Sequence, residues 1–529
     1  MNSIQIISAQ YSYGDRDGLH QGAKAIDGVT MSVARGEFVV LLGGSGSGKS
    51  TLLRLCTALL SPASGSVVIR GMDTRDEAHL LEIRKSVGLI LPDPENQIIG
   101  STVAEDVAFG PENLGLAPEV ISGRVQDALT AVGLHGHAQT ATNRLTAIEK
   151  LKLALAGVLA MQPQCLLLDD PLNALGPADR QEILALLLML NGERGITILL
   201  ATADRGDAYG AERIILLDEG RIAKDGSPLQ VLPPVAKLPE TTKSRERPPR
   251  DEGSICAAMS WIELAGASGL YAPGDSILHR SDPRTKIALT LLFIASAFLL
   301  QGLPALALLL AVTVALATLA GKPFRRSLRG LRLVLYMALV AAAANLFTVK
   351  GAPLSDHGLL AHISREAATL SAAMLLRLLA IAGAASILTF TTTPFRLAAG
   401  VESMFQPLKR IGLPVSELAI MLLVALRFLP IIVEEAKRLA LAQPGPACGT
   451  RRGNPLQGIT RLQPLLVPLF AGVIRRGDAL AAALSARCYQ GGSRRTSMTP
   501  LAYSGVDLAS LLAAVIVLSC VAGVEAFLG

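Results

Sequence analysis

The stretch that most constrains this chain is Leu41-Leu42-Gly43-Gly44-Ser45-Gly46-Ser47-Gly48-Lys49-Ser50-Thr51. An apolar run before it, Glu37-Phe38-Val39-Val40-Leu41-Leu42, reads as a buried strand. After it, Leu52, Leu53, Leu55 and Leu59-Leu60 recur at helical spacing. A G-x-x-x-x-G-K-[ST] turn between strand and helix is the setting of a phosphate site. Its glycines let backbone N–H groups close on phosphate oxygens, and the helix start adds its positive dipole end. There Lys49 reaches the β and γ phosphates and Ser50 sets its hydroxyl on Mg²⁺. The expectation is a nucleoside triphosphate site built from Gly43, Gly44, Ser45, Gly46, Ser47, Gly48, Lys49, Ser50 and Thr51.

Around this loop the first half of the chain reads as an α/β protein. Residues 3–9 and 27–42 are strand-like, with a turn at Tyr13-Gly14-Asp15 and a break at Arg35-Gly36. Tyr13 is the candidate for stacking on a base, a half-buried strand tyrosine being the plainer alternative. Ser64–Ile69, Ser86–Leu91, Leu166–Asp170 and Ile196–Ala201 are further apolar strands, the third ending in the carboxylates Asp169 and Asp170. Strands alternating with helices imply a largely parallel sheet covered on both faces. The six cysteines form no C-x-x-C pair and have no partnering histidine, so neither zinc nor a disulfide framework is indicated. Met1 to Gln10 lacks the long apolar core of a signal peptide, which leaves this domain expected in the cytoplasm.

The second half is different. Over 529 residues the chain is 50% apolar and only 17% charged, with a mean hydropathy of +0.44, and the aliphatic runs concentrate beyond residue 280. Residues 228–260 are Pro-rich with mixed charge and read as a linker. That divides the chain into 1–232, a linker over 233–268, and 269–529. Ile287–Leu300, Ala305–Ala320, Leu333–Phe347, about Ala367–Phe390 and Leu508–Leu528 are apolar enough for membrane spans in a lipid bilayer. The loop Lys322–Arg329 carries lysine and arginines and is expected inside, and the uncharged turn at 301–304 outside. That orientation agrees with a cytoplasmic first domain. The net charge of +6 sits beside these spans, so it speaks for topology and not for nucleic-acid binding. Leu413–Gln443 and Arg461–Arg487 mix apolar residues with charge, which suits a cytoplasmic interface better than lipid. Arg377, inside the fourth span, is either functional or satisfying a packing need.

With Glu95-Asn96-Gln97 and Thr102–Pro111 added to the phosphate loop, residues 3–232 resemble the ATP-binding cassette ATPases. The likeness is to the branch serving energy-coupling factor importers of vitamins and metal ions. Residues 269–506 resemble the transmembrane T component of the same transporters, through Tyr271–Ser276, His279–Lys286, Pro407–Pro414, Ala425–Pro430 and Ala486–Gly492. The fold implied is an α/β P-loop cassette followed by an all-α polytopic membrane domain, placed in the cell membrane with the cassette cytoplasmic. The resemblance implies ATP and Mg²⁺, with Asp169 holding the metal through water. It also implies two coupling helices, about 413–443 and 461–487, that dock on cassettes through Ala-Arg-Gly-like motifs. Arg487 is the cation of the second. The first has no arginine in register, whether aligned at Gly445-Pro446-Ala447 or at Ala447-Cys448-Gly449. The partners implied are a second cassette chain with intact motifs and a separate substrate-binding S component.

The departures from that pattern cluster on the cassette. Pro92 replaces the glutamine that senses metal and γ-phosphate and has no side-chain donor or acceptor. Leu145-Thr146-Ala147-Ile148-Glu149 replaces the L-S-G-G-Q signature that caps a partner's nucleotide. Asp170 stands for the water-polarising glutamate, Gly176 for the D-loop aspartate and Ala203 for the switch histidine. Five such changes read as a cassette that retains nucleotide binding and has lost hydrolysis. Two functions therefore remain in view, an energy-coupling subunit of an importer and a non-hydrolytic ATP-binding scaffold.

Overall fold

The computed structural model describes residues 2–14, 24–232, 276–319, 332–349, 364–442, 455–491, 495–498, 503 and 505–528. The linker, the basic loop 322–329 and the first coupling motif with Arg451-Arg452 lie outside the described residues. The chain divides into two compact units: Met1–Ile255 with Glu434–Pro500, and Cys256–Val433 with Leu501–Gly529.

The first unit holds a six-stranded sheet of β3 (Phe38–Leu42), β6 (Val87–Ile90), β7 (Cys165–Asp169), β8 (Thr197–Thr202), β9 (Arg213–Asp218) and β10 (Arg221–Gly226), ordered β10-β9-β3-β8-β7-β6. β3 is buried along its whole length. Phe38, Val40 and Leu42 enter the core on one face, Val39 and Leu41 the core on the other, as a two-residue period requires. Because β3, β7 and β8 run parallel, their carboxyl ends share one edge. Leu42 pairs with Thr202 and Asp169 with Ala201. That register sets the phosphate loop, the two carboxylates and the Ala203 segment side by side. A second, antiparallel sheet of β1 (Asn2–Ser12), β2 (Lys24–Ala34), β4 (Ser64–Ile69) and β5 (Met72–Asp73) completes the sheets.

The helices that carry the site are α1 (Lys49–Cys56), α3 (Val103–Asn113), α5 (Ala147–Leu159) and α6 (Pro177–Arg194), with α2 (Leu80–Ser86) and α4 (Pro118–Ala131) between them. Both α3 and α5 start at a threonine with glutamate three residues on. In each, the two side chains cap the opposite backbone N–H.

The second unit is helical, with helices at Pro283–Leu299, Leu303–Leu319, Arg332–Thr348, Arg365–Thr391, Pro394–Phe405 and Gly505–Leu528. The first three are 17 residues each, at the short end for a span. The Arg365–Thr391 helix packs against all three of them. Among the described residues three helices are long and apolar enough to cross a membrane: Arg365–Thr391, Val415–Leu439 and Asp507–Glu525. The second of these runs against the expectation that Leu413–Gln443 suits a cytoplasmic interface better than lipid. Before the charged end at Glu434–Arg438 its charges are Glu417 in the first turn and Arg427, too few to offset the apolar residues between them.

Arg377 serves a helix end. Its Nε donates to Ala297 O at 2.8 Å and its Nη2 to Leu300 O at 2.7 Å, carbonyls that close the Pro283–Leu299 helix. Across the same turn, the Glu525 carboxylate accepts from Gln301 N at 2.6 Å and Gly302 N at 3.3 Å, where the next helix starts. Cation at a carbonyl end and anion at an amide end are the arrangement helix dipoles favour.

Candidate nucleotide site and coupling contact

The loop after β3 has the shape of a phosphate cradle, and its glycines are required by space. A Cβ on Gly43 would lie 2.5 Å from Leu217 O and from Ser47 Oγ, and one on Gly48 would lie 2.4 Å from Ala25 O. Gly46 and Gly48 also sit at φ +82° and +100°, in the left-handed region. Lys49 opens α1, buried, its Nζ donating to Gly43 O at 2.8 Å and Gly44 O at 2.7 Å. Burial pulls its pKa below the ordinary lysine range, against the opposing charges of Asp170 and Asp169. Ser50 Oγ donates to Asp169 Oδ1 at 2.8 Å, so hydroxyl and carboxylate converge as oxygen ligands suited to Mg²⁺. The residues therefore fit a nucleotide with its metal. Tyr13 stands beside the loop, its hydroxyl 3.1 Å from Thr51 Oγ1 and its ring edge-on to Tyr11 at 5.0 Å. It is 47% exposed, which leaves ring surface open to a base.

The groups around the γ-phosphate position are sparser. Asp170 has φ +48° and donates its N–H to Ala201 O, and burial pushes its carboxyl above the usual range. Pro92 is exposed, and nearby Gln97 does not stand in for the missing glutamine. Its Oε1 accepts from Leu91 N and its Nε2 donates to Leu89 O, both at 2.9 Å, so the amide is spent on backbone. Ala203 is exposed at the end of β8. The signature position is closed on itself. Glu149 accepts from Thr146 N at 2.8 Å and Thr146 Oγ1 at 2.9 Å, while Glu149 N donates back to Thr146 Oγ1 at 3.4 Å. The N–H of Thr146 holds the Glu149 carboxyl below its ordinary pKa. A helix start that would face an anion already carries one. Thr146-x-x-Glu149 is itself a capping-box pattern, so this closure is legible in the sequence.

Arg487 follows the helix Pro455–Ala486 and is 1% exposed; its partner Asp106, on α3, is fully buried. Its Nη1 donates to both Asp106 carboxylate oxygens at 3.3 Å, and its Nη2 to Oδ2 at 3.4 Å. Gly157 on α5 makes room, since a Cβ there would lie 2.8 Å from Nη2. Asn113 Nδ2 donates to Arg487 O at 2.9 Å. Cys488 takes φ +58°, the conformation for which the resembled motif supplies glycine. Beyond it, Arg495 pairs with Glu112 at 2.8 Å and stacks over Phe109 at 4.8 Å, and Thr496 N donates to Glu112 O. Asp106, Glu112 and Gly157 are neighbours of Arg487, Arg495 and Thr496 that sequence reasoning did not single out.

Two family models match the chain: ABC transporter over residues 26–173 and cobalt transport protein over 274–498. The energy-coupling factor transporter ATP-binding protein EcfA1 of Clostridium novyi is 40% identical over 44% of this chain and 81% of its own length. An ABC transporter ATP-binding protein of Bifidobacterium longum is 30% identical across 94% of this chain, which spans 61% of that protein's length. Among solved structures, cbiO1 of Clostridium perfringens, part of the complex cbiONQ, is 33% identical over 44% of this chain and 90% of its own, with a TM-score of 0.41. The chain belongs to the ABC transporter family, in its energy-coupling factor branch. It joins an ATP-binding component and a T component in one multi-pass membrane polypeptide.

Proposed function

We propose that the chain is the fused A–T subunit of an importer for a vitamin or metal ion. It binds ATP–Mg²⁺ and passes cassette motion through its coupling helices to a separate S component. The observation that carries this is the Arg487–Asp106 contact, a buried ion pair joining the T-component region to the cassette. A bound nucleotide would supply the phosphate charge that orders the site. Gly43–Thr51 would hold its phosphates, Ser50 and Asp169 its Mg²⁺, and Tyr13 its base, while Asp170 stands nearest an attacking water, one methylene short of the family's glutamate.

In cassette dimers each nucleotide lies between the phosphate loop of one chain and the signature of the other. Here both faults fall on one chain: its own loop lacks the glutamate, glutamine and histidine, and its signature helix is capped by Glu149. A homodimer would contain no sound site, so the partner we infer is a cassette chain with intact motifs. The test is phosphate release. The protein alone should turn over little or not at all, and rates near those of an intact cassette, abolished by Asp170→Asn, would refute this. With an intact partner, Thr146→Ser, Ala147→Gly, Ile148→Gly and Glu149→Gln together should raise turnover more than Ala203→His does. A larger rescue by Ala203→His would reverse the assignment, placing the productive site on this chain's own loop.

A further inference from the structure

Four carboxylates, Asp169, Asp170, Asp204 and Asp207, gather on the edge where β7 and β8 end, and Lys49, Arg54 and Arg180 are the cations that act on them. Lys49 is held to the phosphate loop. Arg180, on α6, is committed: it pairs with Asp204, lies 3.5 Å from Asp207 and donates to Leu172 O at 3.3 Å. A γ-phosphate would bring further negative charge to this edge, where Pro92 and Ala203 have removed the family's polar groups.

Arg205 is placed differently. It is exposed, and among the described residues it has no hydrogen bond or ion pair. It lines a cavity of about 180 Å³ together with Ala203, Gly43 and Gly44, closed by aliphatic side chains. Gly43 and Gly44 begin the phosphate loop, and their carbonyls receive the Lys49 ammonium, so the cavity borders the start of that loop. The space is of the kind a histidine at position 203 would fill, and the free guanidinium stands two residues beyond it.

We propose that Arg205 is the cation that reads the γ-phosphate in this site, so that it sets the preference for a nucleoside triphosphate over a diphosphate. A guanidinium presents paired N–H donors matched to phosphate oxygens and stays charged at every physiological pH, unlike the histidine it would replace. Such a group binds and orients the terminal phosphate but takes no proton. The site therefore senses ATP without regaining the base chemistry of an intact cassette.

The proposal rests on the nucleotide-site reading above, and calorimetric titration of the full-length protein with MgATP and MgADP separates the two. Arg205→Ala should weaken MgATP about tenfold, the worth of one charge-assisted hydrogen bond, and leave MgADP unchanged. Arg205→Lys should fall between, keeping the charge without the fork. Arg205→Ala with Ala203→His should recover part of the MgATP affinity. Equal weakening of both nucleotides, or an unchanged MgATP affinity in Arg205→Ala, overturns the proposal. A wild-type protein that binds neither nucleotide removes the site itself, and the proposal with it.

Discussion

Replacing Arg487 with alanine isolates the contact on which energy coupling would depend. The pair is almost wholly buried, with side chains 1% and 0% exposed, so the charge on Asp106 has no solvent to turn to. Breaking such a pair from one side costs about 3–5 kcal/mol, because the remaining charge stays buried. Asp106 is not left bare, however: its Oδ1 still accepts Ile99 N at 2.6 Å and Gly100 N at 3.1 Å. Those bonds, and the 3.3–3.4 Å length of the lost ones, place the cost near the lower bound, about 3 kcal/mol or about a hundredfold in the equilibrium for the coupling segment leaving α3. Hydrogen exchange on the full-length protein reads this directly, at the amides of Ile99, Gly100 and α3. Adding Asp106→Asn to Arg487→Ala should restore part of the protection, since it removes the stranded charge. Gly157→Ala should loosen the contact less, because the guanidinium tip can shift. Protection in Arg487→Ala within about threefold of wild type, or a double variant worse than the single by the full sum, would refute the argument.

Two further outcomes follow from the site. Lys49→Ala should weaken MgATP binding by about tenfold or more, since its ammonium is the charged donor in the cradle. Equal affinity in titration would remove Lys49 from the site. The Glu149 cap should hold through neutral pH. Its folded pKa is lowered, so its contribution is present above the unfolded value, near 4.5, and is lost only as pH falls through the folded one. Turnover of the complex with an intact partner should therefore show no relief of the signature defect between about pH 6 and 8, and a rise toward pH 6 that Glu149→Gln abolishes would contradict the assignment.

The phosphate loop, the strands beside it and the apolar helices were legible because each is local: a turn between two periodicities, or an unbroken aliphatic run. Ser50 came from motif spacing and Asp169 from the resemblance to the cassette family, and the fold brings them within hydrogen-bond reach. What was not legible is paired at long range. Arg487 meets Asp106 across 381 residues, and Thr496 meets Glu112 across 384. No window of sequence registers such pairs, although an aspartate behind a Thr-x-x-Glu cap marked where α3 begins. The Leu413–Gln443 helix reads two ways for a different reason. Glu417, Arg427 and Glu434–Arg438 give it the charge of an interface, whereas the mean hydropathy of Val415–Leu439 is that of a span.

Arg487, Arg495, Thr496 and Met498 rest on α3 of the cassette encoded by the same chain. A tether of this kind keeps its ligand at an effective concentration on the order of millimolar, however scarce the protein is in the cell. A cassette so held cannot be exchanged for a free one, because any competitor would have to reach comparable levels at that seat. On the function proposed above, the other coupling position would be the one open to a shared pool. Copy number of the fused chain would then cap how many assemblies exist, while rivalry among soluble cassettes would decide what kind they are.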